Sequence, residues 1–301
     1  VYRSENAGVM HACGHDAHAA CLLGAAKILS ENRDAFRGKV RLVFQPGEEI
    51  GKGAKPFVAA GVLDGAERVF GLHTAYDLEA GTVGLKPGIN NAAVDHFRIR
   101  VHGKSTHVST PHLGVDALYI ASQIVVAVQG LVTRRTSPTE PVIIGIGKLN
   151  AGTTYNAVAA FAEMEGTTRT ISQESRDRVR AQVSETAQSI AALYGGTAEI
   201  EWMDFAAALV NDPQVCEEVA QVVDELLGEG HVFTDRELSL SGDNFAEFEL
   251  YKPGAYAYLG TGNPDLPHTM ITNHNGGFDV DENALVTGAG LYVGYTVARL
   301  G

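Results

Sequence analysis

Between Val94 and Trp202 the hydropathy pattern runs strand, helix, strand, strand, helix, strand, and this order constrains the fold more than any other feature of the chain. Val94–His102 alternates, with Phe97, Ile99 and Val101 on one side and His96, Arg98, Arg100 and His102 on the other. One face of that strand is therefore buried and the other meets water. Leu118, Ala121, Val125, Val128 and Val132 then recur at helical spacing. Two strand-like runs follow over 142–149 and 158–168, then a helix striped by Val179, Val183, Ala187 and Ile190, then a strand from Gly195 to Trp202. This is the element order of a ferredoxin-like split unit, so residues 89–204 are expected to form a small inserted α+β domain.

The flanking segments read differently. Residues 17–30 form a helix carrying Ala19, Leu22, Leu23, Ala26 and Leu29. Lys39–Gln45 reads as a strand ended by Pro46-Gly47, and Glu67–Leu72 as a short buried strand with His73 at its end. Beyond the insert, Asp212 can cap and Pro213 can open a helix bearing Val215, Val219, Val222 and Leu226, with Gly228 past its end. Ala255–Leu259 looks like a buried strand and 281–300 like a helix. Buried strands alternating with helices predict an α/β fold, a sheet flanked by helices over 1–88 and 205–301, interrupted by the insert.

Bulk properties exclude some partners. A net charge of −13 argues against nucleic acid and anionic membranes. No apolar run is expected to reach the roughly 18 residues of a membrane span. Three cysteines make a poor disulfide framework and fit a reducing cytoplasm. The chain opens at Val1, with a metal-like motif close behind, so an N-terminal portion is expected to be missing.

That motif is Met10-His11-Ala12-Cys13-Gly14-His15-Asp16-Ala17-His18. Thiol and imidazole hold borderline or soft transition metals. In an extended backbone Cys13 and His15 would point to the same side. Glu48 and Glu49 follow the first strand, His73 ends the second, and His274 lies in a glycine-rich turn. Open α/β sheets bind ligands at the carboxyl ends of their strands, so a common site is plausible. Taken singly, each feature has a bland reading: a satisfied histidine, a solvated Glu-Glu loop, a small buried cysteine. The combination carries the argument. Adjacent carboxylates diverge, so one can bind a metal while the other takes a proton from water whose pKa a divalent ion has lowered.

His-Ala-Cys-Gly-His-Asp-Ala-His (11–18), Gln-Pro-Gly-Glu-Glu (45–49) and Gly-Leu-His (71–73) resemble, in order and spacing, the dinuclear metal amidohydrolases of the aminoacylase/carboxypeptidase type. The branch containing hippurate, indoleacetyl-amino-acid and aminobenzoyl-glutamate hydrolases carries the cysteine form of the first motif. The resemblance spans essentially the whole chain. It implies a metallopeptidase-type sheet with an inserted lid and dimerisation domain. It implies two divalent ions, zinc or manganese with cobalt or nickel as alternatives. The implied ligands are Cys13, His15, Glu49, His73 and His274, with Cys13 bridging, and Glu48 is the implied general base. His107, in Gly103-Lys104-Ser105-Thr106-His107, would stabilise the oxyanion, from the partner's lid in dimeric relatives; His112 is its rival. Asn156 and Arg169 match substrate-binding positions, and an arginine fork suits a substrate carboxylate.

Several positions depart from the pattern. Gly276 replaces a proline, Asn156-Ala157-Val158-Ala159 replaces Asn-Val-Ile-Pro, and Asp243-Asn244-Phe245 replaces Glu-Asp-Phe. The upstream strand with its Arg-Ala-Asp-Met-Asp-Ala-Leu pattern is absent, which leaves an exposed sheet edge as an expectation. The expected activity is hydrolysis of N-acyl or N-aroyl amino acids by a homodimer that binds neither nucleic acid nor membrane. A dipeptidase, carboxypeptidase or N-acetyl-amino-acid deacetylase is the alternative within the family. An inactive remnant or binding module is the non-enzymatic one.

Overall fold

The computed structural model describes residues 4–301. In chain order its elements are α1 (His15–Glu31), α2 (Ala54–Ala59), β1 (Val69–Glu79), β2 (Val83–Gly84), β3 (Gly88–Asn91), β4 (Ala93–His102), α3 (Ala117–Gly130), β5 (Ile143–Ala151), β6 (Phe161–Thr170) and α4 (Gln173–Leu193). They continue with β7 (Thr197–Ala206), β8 (Leu209–Asn211), α5 (Pro213–Leu227), β9 (Val232–Phe233), α6 (Ala246–Glu249), β10 (Gly254–Gly262) and α7 (Asn283–Leu300).

The first sheet has the order β1-β10-β2-β9. β1 and β10 pair in parallel from Val69↔Gly254 to Ala75↔Gly260. Strand alternation separates the sheet's two faces. Leu72, Ala255 and Ala257 pack with Val215, Val219, Val222 and Val223 of α5 and with Leu291 and Tyr295 of α7. The opposite face carries His73, whose ring lies 6.1 Å from Tyr256 and 6.2 Å from Tyr258. A chain that buries aliphatics on one side of β1 and β10 thus delivers a histidine to the other. Asp212 caps α5 as expected, accepting the N–H groups of Gln214 (2.9 Å) and Val215 (3.0 Å), with Pro213 at the first helical position.

The insert is built as the sequence predicts. β4-α3-β5-β6-α4-β7 folds into an antiparallel sheet of order β5-β6-β4-β7, the arrangement of a ferredoxin-like unit. Phe97, Ile99 and Val101 are fully buried against α3 and α4, each such side chain stabilising the fold by about 1.5–3 kcal/mol. The outer face is a lattice of alternating charge, in which Arg98 and Arg100 reach Glu163, Glu165 and Glu201. The two crossings between the sheets run side by side as the β3–β8 pair.

Four expectations change. Lys39–Gln45 joins no ladder, and Val40, Leu42 and Phe44 are exposed. A strand exists through the hydrogen bonds of a neighbour, and none runs beside this segment among the described residues. Arg41 fastens it instead to the carbonyls of Gly61, Val62 and Asp64. The second strand is longer than predicted: it continues past His73 through an irregularity after Ala75 to Glu79. Among the described residues, α3 and the wide turn that extends it, Ala117–Arg135, form one helix long and apolar enough by composition to cross a membrane, where the sequence predicts none. Its buried residues Ile120, Ala121, Ile124 and Val128 belong to the core of the α+β unit. The predicted stripe was rotated, since Leu118 is exposed.

Candidate metal centre

Cys13 and His15 meet, though not through an extended backbone. Gly14 between them is left-handed (φ 82°) and forms the N-cap of α1, so the chain turns sharply from thiol to imidazole. Any side chain there would collide with Thr74 Oγ1, which donates to the Cys13 carbonyl at 3.2 Å. Gly14 is thus required twice, by its torsion and by its neighbour. Glu48 and Glu49 open a single tight turn framed by left-handed Gly47 and Gly51 (φ 72° and 65°). His274 is the one non-glycine residue with positive φ (62°) among the described residues, and its N–H donates to the Ala12 carbonyl at 2.7 Å. A non-glycine in this region costs about 1–3 kcal/mol and marks a position held by its surroundings.

The donor atoms converge. Cys13 Sγ lies 3.4 Å from His73 Nε2. His15 Nε2 is 3.7 Å from Glu48 and 4.0 Å from Glu49. His274 Nε2 is 3.1 Å from Glu49. They form three overlapping groups, Cys13–His15–His73, Cys13–Glu49–His274 and His15–Glu48–Glu49, each with its ligand atoms within 4.8 Å of one another. Cys13 belongs to the first two, as a bridging ligand would. The tautomer is set for coordination at His73: Nδ1 lies 2.7 Å from the Thr74 carbonyl and must carry the proton, so Nε2 offers its lone pair toward Cys13.

Electrostatics favour a cation here. Burial pushes the Cys13 thiol up to about 12, with Glu49 and Glu48 adding to the effect and the Asn273 amide opposing it. Burial, reinforced by Asp243 and Glu49, raises Glu48 to about 8 against the backbone N–H of Asn244. Burial and the neighbouring His73 hold His15 below the ordinary imidazole range, which keeps it neutral and able to ligate. The groups disfavour their own ionisation without a counter-charge. Cysteine, imidazole and carboxylate together are a donor set that suits zinc and its neighbours.

Further residues support the cluster without offering a ligand to it. The Asn273 amide lies 3.3 Å from the Cys13 carbonyl and 3.6 Å from its sulfur. His18 Nε2 accepts the Thr74 N–H at 3.0 Å, and its ring lies 4.6 Å from that of His73. Its close contacts with Thr74 and His73 make it a support of the centre. Asp243 accepts the buried Tyr256 hydroxyl, while Gln45 donates to Asn244 Oδ1 at 2.8 Å, tying the glutamate turn to the segment before α6.

The remaining predicted residues stand apart. His107 bonds Ser109 Oγ at 2.7 Å, and the Val108 N–H donates to the Asn156 carbonyl, so His107 and Asn156 share one end of the α+β unit. Arg169 folds back onto Thr167 Oγ1 and the Thr168 carbonyl. The hydrogen bonds found for these three stay within the α+β unit. His112 is exposed in a short turn nearby.

A thiol–imidazole–carboxylate cluster, half-buried at Cys13, His15 and His73 and open to solvent at Glu49 and His274, on the face of an α/β sheet beside an inserted ferredoxin-like unit, defines the architecture of a metallohydrolase. The chain belongs to the peptidase family M20/M25/M40, whose model matches residues 1–297. It is 39% identical to an N-acetyl-L-cysteine deacetylase of Bacillus subtilis over 286 residues, covering 95% of this chain and 66% of that protein. It is 38% identical to thermostable carboxypeptidase 1 of Saccharolobus solfataricus, covering 96% and 73%. The fold matches the YXEP protein of Bacillus subtilis, described as a dinuclear metal binding peptidase from the M20 family, with a TM-score of 0.82 and 33% identity over 99% of this chain and 75% of that one. The chain therefore spans 66–75% of the length of these relatives.

Proposed function

We propose that this protein is a metal-dependent amidohydrolase that cleaves N-acyl amino acids to a carboxylate and a free amino acid. The observation that carries the reading is the convergence of Cys13, His15, Glu49, His73 and His274 around Glu48. Those five residues would hold two divalent ions, zinc or manganese, with Cys13 shared. When bound, the ions supply Lewis acidity to a carbonyl and acidity to a water. Glu48 Oε2 takes the proton of the attacking water and delivers it to the leaving amine nitrogen. His107 donates an N–H to the developing oxyanion, and Asn156 and Arg169 anchor the amino acid's carboxylate.

In this reading residues 1–88 and 205–301 form the catalytic part and 89–204 a lid that also makes a homodimer. His107 then reaches a cluster by lid closure or from the partner chain. The three free cysteines suit a reducing cytoplasm. A carboxypeptidase or dipeptidase specificity is the second reading, favoured by the similarity to the Saccharolobus carboxypeptidase.

A panel of N-acetyl, N-benzoyl and dipeptide substrates with zinc- or manganese-loaded protein separates the two, since cleavage of dipeptides alone would overturn the first. Glu48→Gln is expected to lower kcat by about 10²–10⁴-fold at unchanged metal content by elemental analysis. Retained turnover would remove Glu48 from the role of base.

A further inference from the structure

The Lys55 side chain stands where three parts of the chain meet, and no role above uses it. Its ammonium lies 3.5 Å from Asp204 Oδ2 on β7 and 3.9 Å from Glu247 Oε1 on α6. Glu247 is buried, and the same oxygen accepts the backbone N–H of Ala207 at 3.1 Å. Ala207 is the residue at which the chain leaves β7. Asp204 is held in turn by Arg180 at 2.6 Å and Arg176 at 3.6 Å.

The turn that bears Glu48 and Glu49 reaches the same place. At its end, Gly51 approaches Phe205 so closely that a Cβ would sit 2.8 Å from the Phe205 Cα and carbonyl oxygen. From the other side, Gln45 and Glu48 are bonded to Asn244, three residues before Glu247. A shift of the β7 exit therefore presses on the glutamate turn through hard backbone contact, and Lys55 bridges both sides of that contact.

The Lys55–Asp204 pair is exposed at both ends and adds little to stability, so it does not explain Lys55 as a staple of the fold. We propose that Lys55 is a positioning residue. By binding Asp204 of the α+β unit and Glu247 of the α/β part together, it fixes the Phe205–Ala207 hinge against the turn that carries the base. It thereby couples the placement of the inserted unit to that of Glu48. Without the ammonium, the Glu247 carboxylate loses a cationic partner and its clamp on the Ala207 N–H loosens. The kinetic consequence rests on the hydrolase reading; the mechanical one does not.

The test compares Lys55→Met and Lys55→Arg in the metal-loaded protein. Hydrogen exchange by mass spectrometry is expected to speed up about fivefold or more in peptides covering 46–53 and 205–211 of the Met variant. Peptides from β4 and β6 are expected to stay unchanged, and the Arg variant to keep native rates. With an N-acyl amino acid, kcat is expected to fall about tenfold in the Met variant, with KM nearly unchanged and kcat restored by Arg. Native exchange at both segments in the Met variant would overturn the proposal. So would a uniform increase along the chain, because Lys55 would then act only on global stability. A wild-type protein inactive on every N-acyl amino acid would refute the hydrolase reading, and the exchange result would still decide the coupling.

Discussion

Glu249, at the end of α6, should make the protein less stable as pH rises. Its Oε2 accepts the Val210 N–H at 3.1 Å, and its Oε1 is buried without a partner. Burial raises this carboxyl from 4.5 to about 8; the Val210 N–H opposes the shift, and Asp243 and Asp212 add to it. The unfolded chain releases the proton near 4.5, whereas the folded chain keeps it to about 8, so the folded state binds more protons throughout that window. Stability then falls as pH rises through the window and levels off above it. At 1.36 kcal/mol per unit, the loss is about 3 kcal/mol at neutral pH and about 5 kcal/mol once complete. That is a large part of the 5–15 kcal/mol typical of a folded protein. Glu249→Gln keeps an acceptor for Val210 and cannot ionise. The protonated acid and the amide both place a donor at the unpartnered position, so the two proteins should be equally stable below about pH 4. Above about pH 8 the variant should be more stable by several kcal/mol. Urea unfolding followed by circular dichroism across this range measures the difference. Glu48, raised to about 8 as well, titrates in both proteins and cancels. A difference that stays constant with pH would refute the argument, because Glu249 would then be ionised in the fold.

Three further substitutions probe other parts of the structure. Gly14→Ala forces a side chain into Thr74 at a left-handed position, and both metal content and melting temperature should drop; an unchanged metal content would mean that the turn does not set the Cys13–His15 geometry. Arg176→Ala removes both close bonds to buried Asp95, at 2.9 and 2.6 Å, leaving only Arg180 at 3.7 Å, and should cost about 3 kcal/mol in urea unfolding. Asp212→Ala removes the cap of α5 and should cost about 1 kcal/mol in the same assay without altering metal content.

The α+β unit was legible because its signals are local. Phe97, Ile99 and Val101 alternate with charged residues on β4, and the structure buries the first set and pairs Arg98 and Arg100 with glutamates on neighbouring strands. Asp212-Pro213 fixed the start of α5 because capping is decided within four residues. Lys39–Gln45 departs from its strand-like composition for the opposite reason. Its composition is that of a strand, but strand formation is settled by a neighbour that the segment itself does not encode. The rotated stripe on α3 has a related cause: Leu118 and Ile120 are equally apolar, and only packing against the sheet decides which is buried.

The metal centre was legible as residues and illegible as geometry. Cys13 and His15, Glu49, His73 and His274 sit in four separate local settings, and what joins them is backbone. Left-handed turns at Gly14, Gly47, Gly51 and His274 aim side chains from loops toward the face of β1 that already presents His73. Three of those positions are glycines, which adopt the conformation freely, whereas His274 adopts it against its preference. The local support at His274 is one backbone bond, from its N–H to Ala12, the residue before Cys13. The most exposed of the five candidate ligands is therefore anchored to the chain segment that carries Cys13. Asn273, adjacent in sequence, closes the same connection by holding Cys13 through its amide. The motif at 11–18 and the motif at 273–282 act as one structural unit, although about 260 residues separate them.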